Sequence, residues 1–169
     1  HGVLVGASMA SETTAAATGA VGVVRRDSMA MKPFAGYNFG DYFAHWLSFD
    51  KPGAKLPKIF QVNWFRKDAD GKFMWPGFGD NLRVLEWMLK RATGQVDAVD
   101  TAVGFLPKAS DLNTEGLGLD EATLEQLDTI DREGWKAEMA SIGEYLDEFG
   151  ERTPHALKAE RAKIAAQLA

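Results

Sequence analysis

Residues 62–81, VNWFRKDADGKFMWPGFGDN, hold five large aromatic side chains: Trp64, Phe65, Phe73, Trp75 and Phe78. Asp70-Gly71 among them is a hairpin-turn pair. Folding the chain there brings Trp64 and Phe65 near Phe73 and Trp75. Phe78 stands between Gly77 and Gly79, where a backbone can approach a ligand closely. Asn81 follows at the start of an expected helix, and its amide can both donate and accept hydrogen bonds. Two facing rings with a gap form a slot for a planar group, and an amide beside it can read polar atoms on that group's edge. A purine base fits this description, since base–aromatic stacking is worth about 1–3 kcal/mol per base. The competing reading makes the same rings the core of a small sheet.

Other chemistries lack their residues. No G-x-x-x-x-G-K-[ST] phosphate cradle occurs, and in "GFGDNL" Leu82 takes the third glycine position of a dinucleotide fingerprint. "RKDADG" fails as a calcium loop, because Arg66 stands at the first ligand position and Gly77 where the bidentate glutamate belongs. His1, His45 and His155 are widely separated and supply no Ser/His/Asp set. The absence of cysteine excludes disulfides and thiolate metal sites, and an intracellular, cytoplasmic protein is expected.

The elements that must position the rings are legible from periodicity. His1–Ala7 is a short apolar run that predicts a buried strand. The small-residue run "SMASETTAAATGAVGVV" reads as a connector or a mobile lid. "NFGDYFAHWLSF" predicts a helix with Phe39, Phe43 and Trp46 on one face and Asn38 as its N-cap. "KIFQVNWFRK" alternates and predicts a strand, with residues 72–75 returning antiparallel to it. Asp80 is the expected N-cap of a further helix whose inner face carries Leu82, Leu85 and Leu89, with Gly94 near its end. Residues 95–118 read as loop, with one short apolar piece at 103–106. Beyond Asp120, Trp135, Met139, Ile142, Leu146 and Phe149 mark a helical stripe that Gly150 ends. Thr153-Pro154 then opens a last helix as N-cap and first residue.

Charge supports a solvated helical face more than a nucleic-acid surface. Residues 1–119 carry 13 basic and 12 acidic side chains, whereas residues 120–152 carry 3 and 11. No basic stripe tracks a phosphate backbone, so no nucleic-acid partner is expected. No apolar run approaches the roughly 18–20 residues of a membrane span, so no membrane partner is expected either. The strand-like opening at His1 suggests a piece of a longer protein.

The segments "VGASMASETTAAATG", "PFAGYNFGDYFAHWL" and "KLPKIFQVNWFRKDADGKFMWPGFGDNLRVLEWM" resemble the C-terminal part of GTP-dependent phosphoenolpyruvate carboxykinases. The similarity is dense over residues 32–87 and thins after Gly94. It implies an α+β (mixed α/β) fold: the C-terminal segment, 1–169, of a mononucleotide-binding domain. Its parts would be a mobile lid at 13–23, a guanine-binding hairpin at 58–81 and C-terminal helices at 119–169. The resemblance further implies that Phe65 and Phe78 sandwich guanine, that Trp64 and Phe73 complete the wall, and that Asn81 reads the base edge within Phe78-Gly79-Asp80-Asn81. Ser11 and Glu12 would lie at the leading hinge of the lid, followed by Thr13, Thr14, Ala15 and Ala16. Ala10 stands where animal members carry arginine, which suggests a bacterial type. Ser28 replaces a common proline and Asp80 a usual glutamate.

The activity implied is that of a lyase of gluconeogenesis, turning oxaloacetate and GTP into phosphoenolpyruvate, carbon dioxide and GDP. GTP/GDP and divalent Mn2+ and Mg2+ would take part, with the phosphate, metal and substrate ligands all upstream of this chain. No catalytic residue is therefore expected within it, and the segment alone should be inactive. A closed lid would protect the enolate from solvent protonation. The expected assembly is a monomer in which the rest of the same polypeptide is the structural partner. The rival class is a non-catalytic module that uses the aromatic hairpin for a planar ligand such as a sugar or single-stranded nucleic acid.

Overall fold

The computed structural model describes residues 1–12 and 24–169. Its helices and two small antiparallel sheets form an α+β structure of two units, His1–Ile59 with Arg132–Ala169 and, separately, Phe60–Asp131.

In the first unit the opening run is α1 (Gly2–Ala7), a helix and not the expected strand. A short apolar run bounded by small residues carries no period that separates the two forms. Leu4 and Ala7, three apart on one helical face, are both buried, and Ser8 Oγ caps the end by donating to the Leu4 carbonyl (2.8 Å). β1 (Ala10–Glu12) pairs antiparallel with β2 (Val24–Arg26), Ser11 opposite Arg25. Arg26 ties this ribbon down by donating to the Ser8 carbonyl (2.9 Å), Glu138 Oε2 (2.8 Å) and Ser141 Oγ (3.1 Å). Ser28 is fully buried, with its Oγ 2.7 and 3.0 Å from the carbonyls of Gly6 and Ala7.

α2 (Phe39–Leu47) begins where predicted, since the Asn38 side chain accepts from the Gly40 amide (2.7 Å). Gly40 is required because a Cβ there would overlap the Arg152 carbonyl. α5 (Arg132–Asp147) buries Met139, Ile142 and Leu146, as its stripe predicts; Tyr145, outside that stripe, is buried as well, and Trp135, within it, is only half-buried. Phe149 follows, buried, with its ring 5.0 Å from Tyr145 and 5.5 Å from Phe43, both edge-on. Gly150, at φ +60, reverses the chain. α6 (His155–Leu168) packs against α5, with Leu157, Ile164 and Leu168 buried. Pro154, not Thr153, occupies its N-cap position, and Thr153 Oγ1 instead donates to the Leu146 carbonyl (2.6 Å).

In the second unit the predicted strand over residues 58–67 does not form. Asn63 Oδ1 takes the Phe65 amide (3.0 Å), a local bond that competes with a sheet ladder. The chain still reverses: Asp68 Oδ1 accepts from the amides of Asp70 and Lys72, and Gly71 takes φ +80. Only one antiparallel bridge, Lys67 with Phe73, joins the two arms. The expected hairpin is thus a hydrogen-bonded loop, not a pair of strands.

α3 (Asn81–Ala92) follows. Its buried residue is Trp87, set edge-on against Phe60 at 6.1 Å. The predicted inner stripe of Leu82, Leu85 and Leu89 is exposed, because the indole, on another side of the helix, takes the contact with this unit's small core. β3 (Val99–Thr101) and β4 (Gly104–Leu106) form a short hairpin inside a stretch read as mostly loop. Thr101 Oγ1 stabilises its turn by donating to the Gly104 carbonyl (2.6 Å). α4 (Glu121–Asp128) is capped by Asp120, whose Oδ1 accepts from the Thr123 amide (2.8 Å) and whose carboxyl is held below its usual pKa by Thr123.

Candidate functional site: an exposed aromatic loop

The loop carrying the rings is anchored at its base. Arg66 donates to the carbonyls of Leu127 (2.9 Å) and Thr129 (3.1 Å), which fastens the loop to the end of α4. Burial raises the Asp128 carboxyl above the ordinary range, and the Arg66 guanidinium opposes that rise. Met74 is buried beneath the loop, and its amide donates to the Arg66 carbonyl (2.9 Å). The polypeptide between Arg66 and Met74 is therefore held at both ends.

The rings themselves face water. Phe65 is 73% exposed, Phe78 92% and Phe73 about half. Burying a phenylalanine side chain gains about 1.5–3 kcal/mol, so leaving two in solvent forgoes that stabilisation twice within one loop. The reading in which Phe65 and Phe78 form the core of a small sheet does not hold. Clustered exposed apolar side chains of this kind mark ligand or partner sites.

The structure brings some of the expected residues together. Phe65 and Phe73 lie edge-on at 6.0 Å, and Trp64 meets Trp75 at 6.3 Å, both indoles half-buried. Lys67 Nζ sits 5.1 Å from the Phe73 ring centre. Gly77, at φ +142, lets the chain double back before the short turn Phe78–Asp80. A Cβ at Gly79 would meet open space. Asp80 stands at the N-cap position of α3 without capping it, because its Oδ1 accepts from Arg83 Nε (3.2 Å). Asn81 Oδ1 accepts from the Trp75 indole (2.9 Å). Phe65 and Phe78 make no ring contact with one another, so the two flanks of the expected slot stand open.

Two contributors escaped the sequence reading: Arg66 as the anchor of the loop and Trp75 as the partner of Asn81. The six-residue spacing from Trp75 to Asn81 across Pro76 and Gly77 was the available signal for the second. Ser11 and Glu12 lie in β1, whereas Thr13, Thr14, Ala15 and Ala16, with the rest of 13–23, fall outside the described residues. Among the described residues no group of three His, Cys, Asp or Glu side chains could hold a metal ion, and no helix is long and apolar enough to cross a membrane.

Fold and site together define an α+β protein segment with an anchored, exposed aromatic edge. Comparison with known proteins gives the family. The sequence model of the phosphoenolpyruvate carboxykinase C-terminal P-loop domain matches residues 1–167. The chain is 52% identical over 170 residues to "Phosphoenolpyruvate carboxykinase [GTP]" of Chlamydia trachomatis serovar D, covering 99% of this chain and 28% of that protein. It is 50% identical over 171 residues to the protein of the same name from an Arthrobacter species, covering 100% of this chain and 28% of the relative. This chain belongs to the GTP-dependent phosphoenolpyruvate carboxykinase family, and it spans little more than a quarter of the length of these relatives.

Proposed function

We propose that this chain is the guanine-binding and lid portion of an enzyme that converts oxaloacetate and GTP to phosphoenolpyruvate, carbon dioxide and GDP. In that reaction the bond to the departing carboxylate breaks and its electron pair becomes an enolate. The enolate oxygen then takes the γ-phosphoryl group as GDP leaves. The part of this chain is to hold the nucleotide by its base. Phe65 and Phe78 stack on the two faces of guanine, Trp64 and Phe73 complete the wall, Gly79 and Asp80 line the approach, and Asn81 reads the base edge. The observation that carries this reading is the exposure of Phe65 and Phe78 on an anchored loop in a member of this family.

The lid role of residues 13–23, with Ser11 and Glu12 at its leading hinge, rests on the family resemblance. On the family resemblance, the divalent metals Mn2+ and Mg2+ are assigned to the part of the enzyme outside this chain, together with the phosphate and oxaloacetate ligands. The whole enzyme is read as a cytoplasmic monomer of gluconeogenesis, with no nucleic-acid or membrane partner, and this segment as inactive without the remainder. The non-catalytic module is not favoured, since both relatives are named for the enzyme.

Titrating GTP and ATP into the full-length enzyme while following tryptophan fluorescence tests the base assignment. GTP should quench or shift the emission at concentrations where ATP does little. An ATP response as strong as that to GTP would remove guanine from the proposal.

A further inference from the structure

The Trp75 indole nitrogen lies 2.9 Å from Asn81 Oδ1. An indole N–H can only donate, so this contact settles which end of the amide faces the tryptophan. The oxygen is held toward Trp75, and the Nδ2 hydrogens turn to the other side. Both partners are fixed by their surroundings. Asn81 opens α3 with helical backbone angles (φ −60, ψ −28), and Trp75 is braced by the Trp64 ring. Gly77, at φ +142, permits the reversal that lets residues six apart meet. The neighbouring Asp80 carboxylate is engaged by Arg83 and not by the amide.

We propose that Trp75 is a positioning residue for base selection: it locks the Asn81 amide in the orientation that presents its NH2 group to the nucleotide. This rests on the guanine-slot reading above and goes beyond it by saying why the amide prefers one purine. The 6-position of guanine is a carbonyl acceptor, whereas that of adenine is an amino donor. An NH2 group that cannot turn around pairs with the first and leaves the second donor against donor. Unpaired polar groups in a closed site are costly, so the lock converts a symmetric amide into a selective one. Hypoxanthine shares the 6-carbonyl and belongs on the accepted side.

The test is made in the full-length enzyme with GTP, ITP and ATP as phosphoryl donors, comparing Trp75→Phe, Asn81→Asp and Phe78→Ala with the unaltered protein. Trp75→Phe keeps an aromatic ring and removes the indole donor together with the five-membered ring that carries it. It should lower kcat/KM for GTP and ITP by the same factor, about five- to tenfold, the equivalent of one net hydrogen bond. ATP use and the KM for oxaloacetate should stay unchanged. Asn81→Asp, which can still accept from Trp75 but offers no donor, should cut GTP and ITP use further and lower the GTP-to-ATP ratio most. Phe78→Ala should reduce all three nucleotides alike, because stacking does not distinguish bases.

An equal fall for all three nucleotides in Trp75→Phe would make Trp75 merely structural and overturn the proposal. An unchanged GTP-to-ATP ratio in that variant, with Phe78→Ala impaired, would overturn the lock and leave the slot standing. A Phe78→Ala enzyme unaltered toward every nucleotide would refute the slot and the lock together.

Discussion

The molecule holds two aromatic clusters built from the same residue types and put to opposite uses. In the first unit Phe39, Phe43, Tyr145 and Phe149 are all buried, and their rings meet mostly edge-on at 5.0–6.5 Å. In the second unit Phe65, Phe73 and Phe78 lie along a loop and face solvent. The difference follows from what presents them. Helix α2 places Phe39 and Phe43 one turn apart, Phe149 just beyond α5 meets both, and Tyr145 in α5 meets Phe149, so every ring finds ring neighbours and is buried. The 62–81 loop spends its backbone groups on side-chain and turn bonds, so its rings project from it and are exposed within this chain. A cluster of the first kind contributes stability through burial, whereas the rings of the second leave that contribution unrealised within this chain.

That contrast can be broken most forcefully at Phe43, which is fully buried. Phe43→Ala in the full-length enzyme should cost about 3–5 kcal/mol of stability, whereas Phe65→Ala should change it by no more than about 0.5 kcal/mol. Denaturant unfolding of both variants measures the difference. Comparable losses would mean that the two clusters are alike in kind.

A smaller effect sharpens the description of the buried cluster. Burial, reinforced by the nearby Glu148 and Asp27 charges, pushes the Tyr145 hydroxyl up to about 12 from its ordinary value of 10.0. The neutral phenol is thus favoured in the folded state. Between pH 10 and 12 the unfolded chain releases that proton and the folded one keeps it, so the stability contributed below pH 10 is lost as pH rises through this window. Tyr145→Phe should flatten that part of the stability curve. A slope identical to that of the unaltered protein would place the hydroxyl in water.

The buried cluster was largely legible in the sequence and the exposed one only partly. Phe39, Phe43 and Trp46 follow helical spacing behind an N-cap asparagine, and Met139, Ile142, Leu146 and Phe149 continue a stripe that Gly150 ends. Local signals of that type survive into the fold because cap, period and stop agree. Around the site they conflict. The alternation of residues 58–67 predicts a strand, but Asn63 diverts the Phe65 amide and leaves a single bridge. On α3 the leucine period was real, yet Trp87 took the buried position. The His1–Ala7 run was too short for its period to separate helix from strand. The ring-bearing residues themselves could be named from sequence, but their exposure, the Arg66 anchor and the Trp75–Asn81 bond depend on contacts that spacing does not encode.

Guanine binding by the exposed loop is tested most directly by calorimetric titration of GDP and ADP into full-length enzyme with and without Phe78→Ala. GDP should bind the unaltered enzyme more tightly than ADP does. Removing the ring should weaken GDP by roughly 5- to 150-fold, the equivalent of about 1–3 kcal/mol of stacking, with metal binding intact. Unchanged GDP affinity in Phe78→Ala would contradict the assignment of this loop to the base.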